Sequence, residues 1–386
     1  MTRAEPGSYE EAAEVLRAAS SAGHSVRPRG GGTRWAWGRP IPPCDVEIST
    51  AGLDRIVEHN AGDLTAIVQA GVALSDLQRA LAGRGQMLAL DPPLAHPGGP
   101  EAATVGGIVA TADTGPLRHR YGSARDLLLG ITVALSDGAL VRAGGKVIKN
   151  VAGYDLAKLF AGSFGTLGLV LEVAVRLHPR PAGSITVLGR SDDPATLQRA
   201  ASALAHASLA LDAADLAWSG GLGEVLARVS GAGRLKRVAE ARRLMEGAGL
   251  EGQIEEEDEG AWAAQRAAQR CAEGAIMRVC GLLSETTRAL DVARRLGASL
   301  VGRAGLGVWW LRLPPGPIDQ LAGAIEELRA ALAPMPCVVL DAPAAVRERV
   351  DVWGGEEDGA LALMRRVKAR FDPSAILNPG IFVGGI

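Results

Sequence analysis

The sequence predicts an α+β protein with a glycine-rich first domain, an inserted α+β domain and a helical tail. A helical stretch at Tyr9–Ala22, a short strand and a glycine-rich loop over residues 26–38 open the first domain. Residues 183–350 alternate candidate strands with candidate helices, which indicates a sheet with helices packed on it. Residues 360–370 have the spacing of an amphipathic helix.

Length and composition predict where the domains begin and end. A chain of 386 residues favours two or three domains. Pro179 and Pro181 close the part that is dense in glycine, so we expect the first boundary there. The predicted divisions are 1–181 for the first domain, in two parts at roughly 1–50 and 51–181, then 182–350 for the inserted domain and 351–386 for the tail.

The overall charge and the cysteines exclude several classes of protein. A formal net charge of −2 gives no electrostatic reason to expect nucleic acid as a partner. Cys44, Cys271, Cys280 and Cys337 include no Cys-x-x-Cys pair, which argues against an iron–sulfur cluster or a zinc ribbon. No secretion signal is evident, and no apolar run approaches the roughly 18 residues of a transmembrane helix. We therefore expect a cytoplasmic protein.

The loop over residues 26–38 is the strongest local signal. Gly30, Gly31 and Gly32 lack a Cβ, so they permit positive φ and let a ligand approach the backbone. Successive N–H groups in such a turn can form a nest for an anion such as a pyrophosphate. The loop fits neither G-x-G-x-x-G nor the P-loop, which argues against a Rossmann dinucleotide site and an NTPase. Taken alone, the pattern is equally compatible with an ordinary glycine turn. Side chains that could add donors are Arg29, Thr33 and Arg34.

Further glycine and hydroxyl motifs recur along the chain. In order they are Pro28-Arg-Gly-Gly-Gly-Thr, Thr104-Val-Gly-Gly, Tyr121-Gly-Ser-Ala-Arg-Asp, Ser136-Asp-Gly, Gly162-Ser-Phe-Gly-Thr-Leu-Gly, and Phe371-Asp-Pro followed by Ile376-Leu-Asn-Pro-Gly. Through these motifs the chain resembles the FAD-binding flavoenzymes of the vanillyl-alcohol oxidase, or PCMH, type over about residues 8–180 and 365–381. Residues 114–116 and 146–159 are most similar to the E subunit of bacterial glycolate oxidases. The resemblance implies a two-part PCMH-type FAD-binding domain, an inserted cap, and a tail that returns to the FAD domain.

The resemblance also implies FAD as the cofactor and assigns residues to it. The loop at Gly30–Thr33 would hold the pyrophosphate through backbone N–H groups, and Asn378 would return from the tail to the flavin. Tyr154 would help to complete the pocket, although a packed core ring is the alternative for it. The full set expected to bind FAD comprises Arg29, Gly30, Gly31, Gly32, Thr33, Arg34, Thr104, Gly106, Gly107, Thr111, Gly115, Gly122, Asn150, Tyr154, Asp155, Gly168, Leu169, Val170 and Asn378.

The chain departs from the pattern of this family in two places. Phe164 stands where many relatives have a glutamate, and Thr111-Ala-Asp stands where Thr-Asn-Ala is common. The glycine loop contains no histidine, and Cys44 lies away from the glycine motifs. The resemblance therefore points to FAD that is held without a covalent bond. For several of the glycines, a tight turn alone remains the alternative.

Catalytic residues are not evident in the inserted domain. Only His206 of the six histidines falls within residues 182–350, and no His-x-x-x-His or His/Glu cluster is present to bind a metal. The catalytic residues therefore stay unassigned. Arg278 and Arg312 are candidates for holding a carboxylate, and Tyr154 is a third candidate.

The resemblance implies the FAD-binding subunit of a glycolate oxidase complex, which oxidises glycolate to glyoxylate. Electrons would pass through the flavin to a second FAD-binding subunit and an iron–sulfur subunit, and the membrane would be reached only through these partners. Two alternatives stay open: a free-standing FAD-dependent dehydrogenase for another small 2-hydroxy acid, and a scaffold subunit that holds FAD without catalysis. The lack of an evident proton acceptor favours electron transfer or a scaffold role over independent catalysis.

Overall fold

The computed structural model of the chain describes residues 1–146, 154–355 and 359–386. The chain forms two compact units. Unit 1 consists of Met1–Thr114, Gly122–Arg180 and Gly355–Ile386, and unit 2 consists of Gly115–Tyr121 and Pro181–Gly354. Both units combine helices with sheets, so the predicted α+β class is confirmed.

Unit 1 contains a three-stranded sheet, a five-stranded sheet and a two-stranded sheet. Its strands are β1 (Thr2–Ala4), β2 (Val26–Arg29), β3 (Val46–Ser49), β4 (Ile56–Asn60), β5 (Thr65–Gln69), β6 (Gln86–Met87), β7 (Leu128–Ala134), β8 (Leu140–Gly144), β9 (Leu169–Arg176) and β10 (His178–Pro179). A parallel sheet has the order β1-β3-β2, and an antiparallel sheet has the order β4-β5-β9-β7-β8. Strands β6 and β10 pair with each other. This is the two-part construction that the sequence predicts.

The helices belong to both units. In chain order they are α1 (Tyr9–Ala22), α2 (Leu74–Ala82), α3 (Val105–Thr111), α4 (Arg118–Tyr121), α5 (Ala124–Leu127), α6 (Ala157–Phe160), α7 (Pro194–His206), α8 (Arg234–Gly247), α9 (Glu259–Ala267), α10 (Thr286–Arg295), α11 (Ile318–Leu332), α12 (Ala344–Arg347) and α13 (Gly359–Phe371). Helix α1 lies where the sequence predicts it. The Ser8 hydroxyl accepts the Glu11 N–H at 3.1 Å, and Gly23 ends the helix in the left-handed region. Its face with Ala12 and Leu16 is buried in the core of unit 1.

Unit 2 contains one large antiparallel sheet. Its strands are β11 (Ser184–Ser191), β12 (Ala213–Ser219), β13 (Leu222–Ser230), β14 (Gln253–Glu255), β15 (Ala275–Cys280), β16 (Ser299–Arg303), β17 (Val308–Leu313) and β18 (Cys337–Asp341). They pair in the order β14-β11-β13-β12-β16-β17-β15-β18. One face of the sheet forms the main hydrophobic core with helices α7, α8, α10 and α11. This is the layer of helices on a sheet that the sequence predicts.

Residues Gly115–Tyr121 do not follow the predicted domain boundaries, which include them in the first domain. In the structure they pack with unit 2, where α4 contacts β12. The Arg120 guanidinium pairs with the Asp212 carboxylate, which is 4% exposed. Gly305 leaves room for the neighbouring ring, because a Cβ there would lie 3.1 Å from Cε1 of His119. The segment therefore finds its counterion and its packing partner in unit 2.

The tail returns to unit 1, as the sequence predicts. The Val26 N–H donates to the carbonyl of Ile376 at 2.7 Å, and the Asn378 N–H donates to the carbonyl of Val26 at 2.9 Å. These bonds place the tail beside β2, immediately before the glycine loop. Among the described residues, no helix has the length and apolar content to cross a bilayer.

Candidate functional site

A cleft in unit 1 collects the glycine loop, helix α3, a turn at residues 163–165 and the tail. Strand β2 delivers the glycine loop to this cleft, because the loop begins directly after Arg29. The lining residues are Arg27, Pro28, Arg29, Gly30, Gly31, Gly32, Thr33, Arg34, Trp35, Trp37, Thr104, Gly107, Ile108, Ala110, Thr111, Phe164, Gly165, Asn378 and Ile381. Segments far apart in the sequence therefore meet at one place.

The glycines of the loop are required mainly by close packing of the backbone. A Cβ on Gly31 would overlap the carbonyl oxygen of Ala102, and one on Gly30 would overlap the hydroxyl of Thr104. Only Gly32 of the three has positive φ, at 73°. The structure thus explains the glycines by the approach of the loop to residues 102–104. A side chain at Gly31 would disturb this packing whether or not a ligand is bound.

The backbone of the loop offers unused hydrogen-bond donors. In the described part of the chain, the N–H groups of Gly30, Gly31 and Gly32 have no hydrogen-bond acceptor. Gly31 is exposed, and Gly30 and Gly32 are partly buried, so these donors are open to the cleft. Their position in the cleft suits an anionic ligand, which successive N–H groups can bind.

The two arginines beside the loop are engaged with carboxylates of the protein. Arg29 donates to Glu47 at 3.2 Å, and the Glu47 side chain is 4% exposed. Arg34 is buried and donates to Asp113 at 3.0 and 2.6 Å. It also donates to Thr33 Oγ1 and to the carbonyl of Pro93, each at 2.5 Å. These residues line the cleft as predicted, but their hydrogen bonds hold the loop in place. The backbone is therefore the main source of donors for a ligand.

Helix α3 forms a second wall of the cleft. The Thr104 hydroxyl accepts the Gly107 N–H at 3.2 Å, and the Thr111 hydroxyl donates to the Gly107 carbonyl at 2.8 Å. Thr104, Gly107 and Thr111 were all predicted to bind the cofactor, and all three line the cleft. Gly106 instead faces inward, where a Cβ would lie 2.6 Å from that of Ala70.

Asn378 brings an unused acceptor into the same cleft. Its side-chain amide donates to the carbonyl of Phe164 at 2.7 Å. The residue is 5% exposed. Its Oδ1 is buried and has no hydrogen-bond partner among the described residues. A buried acceptor without a donor is costly. The side chain is therefore oriented to accept a hydrogen bond from a ligand.

Sequence reasoning missed several residues of the cleft. The Arg27 guanidinium lies 3.7 Å from the centre of the Trp35 ring, and Trp37 is buried beside them. Phe164, which replaces the usual glutamate, has positive φ and lies 5.6 Å from the ring of Phe382. The signal for Arg27 and Trp35 was their place on either side of the glycines, since both flank the predicted anion site.

Other residues predicted to bind the cofactor lie elsewhere. Tyr154 is 92% exposed, and Asp155 pairs with Lys158 at 3.0 Å. Gly168, Leu169 and Val170 are buried at the start of β9 without lining the cleft, and Gly122 has positive φ and packs on Asp126. Gly115 belongs to unit 2. Asn150 lies outside the described residues.

Unit 2 holds one more histidine than the sequence analysis assigned to the inserted domain. His206 is the one histidine of residues 182–350, and His119 is added because residues 115–121 belong to unit 2. His119 has a buried Nδ1 without a hydrogen-bond partner in the described part of the chain. Burial lowers the pKa of His119, and Asp212 acts in the opposite direction. Among the described residues, no three side chains of His, Cys, Asp or Glu lie together as a metal site would require.

The cleft fits the cofactor that the sequence predicts. It presents bare N–H groups for a pyrophosphate and a buried amide oxygen for a hydrogen-bond donor. Within the described residues, no aspartate or glutamate lines it, so its charge also suits an anion. Residues 3–144 match the FAD binding domain family, and residues 352–381 match the C-terminal domain of the FAD linked oxidases. Two separate stretches of the chain thus match FAD-binding families, and the protein is an FAD-dependent oxidoreductase. FAD is its cofactor.

Individual relatives agree with this assignment. An uncharacterized FAD-linked oxidoreductase of Mycobacterium tuberculosis is 28% identical over 424 residues, which cover 99% of this chain and 90% of the relative. Glycolate oxidase subunit GlcE of Escherichia coli is 42% identical over 132 residues, or 34% of this chain and 37% of that subunit. A D-lactate dehydrogenase of Archaeoglobus fulgidus is 37% identical over 175 residues, or 45% of this chain and 38% of the relative.

A solved structure shares the fold of this FAD-linked oxidoreductase. An alkyldihydroxyacetonephosphate synthase aligns with a TM-score of 0.68 at 16% identity, covering 98% of this chain and 76% of that one. The alignment extends over nearly the whole chain and therefore includes both units. At this identity the likeness concerns the fold, which is of the PCMH type that the sequence predicts.

Proposed function

We propose that the chain is the FAD-binding E-type subunit of a glycolate oxidase complex that oxidises a small 2-hydroxy acid, glycolate, to glyoxylate. The observation that carries this proposal is the 42% identity to glycolate oxidase subunit GlcE over 132 residues, combined with a cleft whose unused donors and acceptor suit FAD. When bound, FAD supplies the two-electron acceptor for this oxidation. The second FAD-binding subunit and the iron–sulfur subunit are the proposed partners, and they would provide any contact with the membrane.

The protein's own contribution to this chemistry is binding and orientation. The Gly30–Gly32 backbone would hold the pyrophosphate, while Asn378 Oδ1 would accept a hydrogen bond from the flavin or its ribityl chain. Arg34 and Asp113 keep the loop in the binding geometry through their buried ion pair. Oxidation of the hydroxyl carbon also needs a group that accepts the hydroxyl proton. We propose that a partner subunit supplies this group.

The first prediction concerns how the cofactor is held. We expect the purified chain to be yellow and to release intact FAD into solution on heating or acid treatment. No histidine or cysteine lines the cleft among the described residues, and the thiol of Cys44 is buried elsewhere with a pKa raised by burial. The measurement is the absorbance of the supernatant after the denatured protein is removed. Flavin that remains with the precipitated protein would establish a covalent bond and contradict this proposal.

The second prediction tests the subunit assignment. In anaerobic stopped-flow at saturating glycolate, the isolated chain should bleach its flavin slowly or not at all, since positioned acid–base catalysis typically contributes about 10²–10⁴-fold. Addition of the partner subunits should restore glycolate-dependent dye reduction. D-lactate serves as a second substrate, because the relatives include a D-lactate dehydrogenase.

Two outcomes would contradict the subunit assignment and favour another function. Bleaching within seconds by the isolated chain would favour a free-standing 2-hydroxy-acid dehydrogenase. No reduction of this flavin in the complete complex, despite glycolate turnover, would favour a scaffold that holds FAD without catalysis.

A further inference from the structure

One row of side chains across the five-stranded sheet of unit 1 is polar. Gln69 of β5 stands directly opposite Glu172 of β9. On its other side, Glu172 stands opposite Thr132 of β7, which in turn stands opposite Arg142 of β8. Residues directly opposite each other on antiparallel strands point to the same face of the sheet. The four side chains therefore share one face.

Helix α1 adds a tyrosine that fixes the carboxylate of this row. The Tyr9 hydroxyl donates to Glu172 Oε2 at 2.9 Å, and the Thr132 hydroxyl donates to Glu172 Oε1 at 3.1 Å. The Gln69 amide donates to the Tyr9 hydroxyl at 3.4 Å. Burial raises the pKa of Tyr9 to about 12, so its hydroxyl stays protonated at neutral pH and can donate. Both oxygens of Glu172 are thus held in a fixed direction.

This network forms part of the wall of a cleft. Tyr9, Gln69 and Glu172 line it, and its volume of about 480 Å³ lies in the range of small-molecule sites. Ile56 and Val57 also line it, and they are 37% and 52% exposed. None of the lining residues belongs to the cleft that contains the glycine loop. Unit 1 therefore has a second place for a ligand, with both polar and apolar walls.

The charged groups of this second cleft have no partners of opposite sign. Glu172 is half-buried, and in the described part of the chain no lysine, arginine or histidine nitrogen lies within 4.0 Å of its carboxylate. Arg55, Arg142 and Glu10 are exposed beside it, and none of them forms an ion pair with a described residue. A carboxylate partly removed from water gains free energy when a cation binds to it, and a guanidinium fork suits a carboxylate.

We propose that this cleft binds a small aliphatic α-amino acid in its zwitterionic form. The ammonium group of the ligand pairs with Glu172, its carboxylate accepts hydrogen bonds from Arg142, and its side chain packs on Ile56 and Val57. Glu172 and Arg142 stand two strands apart, roughly 10 Å at the backbone, so their side chains can reach the two charged groups of one small molecule. A simple anion would leave Glu172 unpaired, and a simple cation would leave Arg142 unpaired. This site does not depend on the proposed oxidation of glycolate.

The test titrates the FAD-loaded full-length chain with L-leucine by isothermal calorimetry. Glu172→Gln keeps an acceptor for Tyr9 and removes the charge, so we expect it to weaken leucine binding roughly 10–100-fold. Arg142→Gln should weaken it about tenfold, because its partner is more exposed to water. The matched control is Arg176→Gln, since Arg176 is an exposed arginine at the end of β9 that does not line the cleft. It should bind leucine as the parent does.

Two analogues of leucine test the two charges separately. 4-Methylpentanoate lacks the ammonium group and 3-methylbutylamine lacks the carboxylate, so each should bind to the parent at least about tenfold more weakly than L-leucine. Glu172→Gln should bind 4-methylpentanoate at least as tightly as the parent does, because this analogue has no ammonium group to lose. That result would also show that the cleft of the variant is intact.

Several results would overturn the proposal. They are a parent chain that does not bind L-leucine at millimolar concentration, equal leucine affinity of Glu172→Gln and the parent, and a loss in Arg176→Gln as large as that in Arg142→Gln. Equal affinity of the parent for L-leucine and 4-methylpentanoate would show that the cleft recognises an anion alone, and would overturn the zwitterion.

Discussion

Replacement of Asp215 by alanine should lower the free energy of unfolding by about 3–5 kcal/mol, because it leaves the buried guanidinium of Arg303 without its counterion. Both side chains of this ion pair have 0% exposure, and they stand opposite each other on β12 and β16. Breaking such a pair from one side is far costlier than removing both charges. The measurement is equilibrium denaturation in urea, followed by far-UV circular dichroism.

A double substitution provides the matched control. Asp215→Leu with Arg303→Met removes both charges and retains much of the volume, so its stability should lie close to that of the parent. If Asp215→Ala and the double variant are equally unstable, the packing of these side chains matters and their charges do not.

The pH dependence of stability gives an independent measurement on the same residue. Burial raises the pKa of Asp215 from 3.8 to about 6, with Arg303 acting in the opposite direction. A raised pKa means that the folded chain binds the proton more readily than the unfolded chain does. The contribution of this group to stability is therefore complete below about pH 4 and is lost as the pH rises through about 6. Asp215→Asn should remove this component of the pH profile.

The same ion pair explains why the sequence predicted only part of the sheet in unit 2. The apolar patterns of residues 224–230, 275–282, 306–313 and 337–341 predict strands, and β13, β15, β17 and β18 lie within or close to these ranges. Strands β12, β14 and β16 were not predicted, and β12 and β16 share one cause. Each carries a charged residue, Asp215 or Arg303, where a buried position would ordinarily be apolar. Only the pairing of the two strands neutralises these charges, and a single sequence does not reveal that pairing.

The candidate site was likewise predicted only in part from the sequence. The glycine loop was predicted from its residue types, because bare backbone suits an anionic cofactor, whereas Thr104 and Asn378 were predicted from the resemblance to the flavoenzyme family. The sequence did not show that Arg29 and Arg34 are held by Glu47 and Asp113, since these carboxylates come from distant segments. It also did not show that residues 115–121 pack with unit 2, since the partner of Arg120, Asp212, lies 92 positions further along the chain.

Replacement of Lys368 by methionine should destabilise unit 1 by about 3–5 kcal/mol and weaken FAD binding by about tenfold. The Lys368 ammonium is buried and donates to the carbonyls of Thr166 and Leu377, each at 2.8 Å, and to Asp372 at 2.6 Å. Burial lowers the pKa of Lys368, and Asp372 offsets part of this effect. Without the ammonium, the Asp372 carboxylate would remain at 1% exposure with no cation beside it.

The effect on FAD follows from the position of Leu377, which directly precedes Asn378. Lys368 ties the end of α13 both to the segment after Phe164 and to the tail, and these two segments hold the Asn378 amide. Loosening them should misplace the Asn378 oxygen that we assign to the cofactor. Arg366→Met is the control, because Arg366 lies on the same helix with its side chain exposed. FAD affinity is measured from the recovery of flavin fluorescence on dilution, at a temperature where circular dichroism shows each variant to be folded. A folded Lys368→Met chain with the FAD affinity of the Arg366→Met control would show that the tail does not position Asn378 for the cofactor.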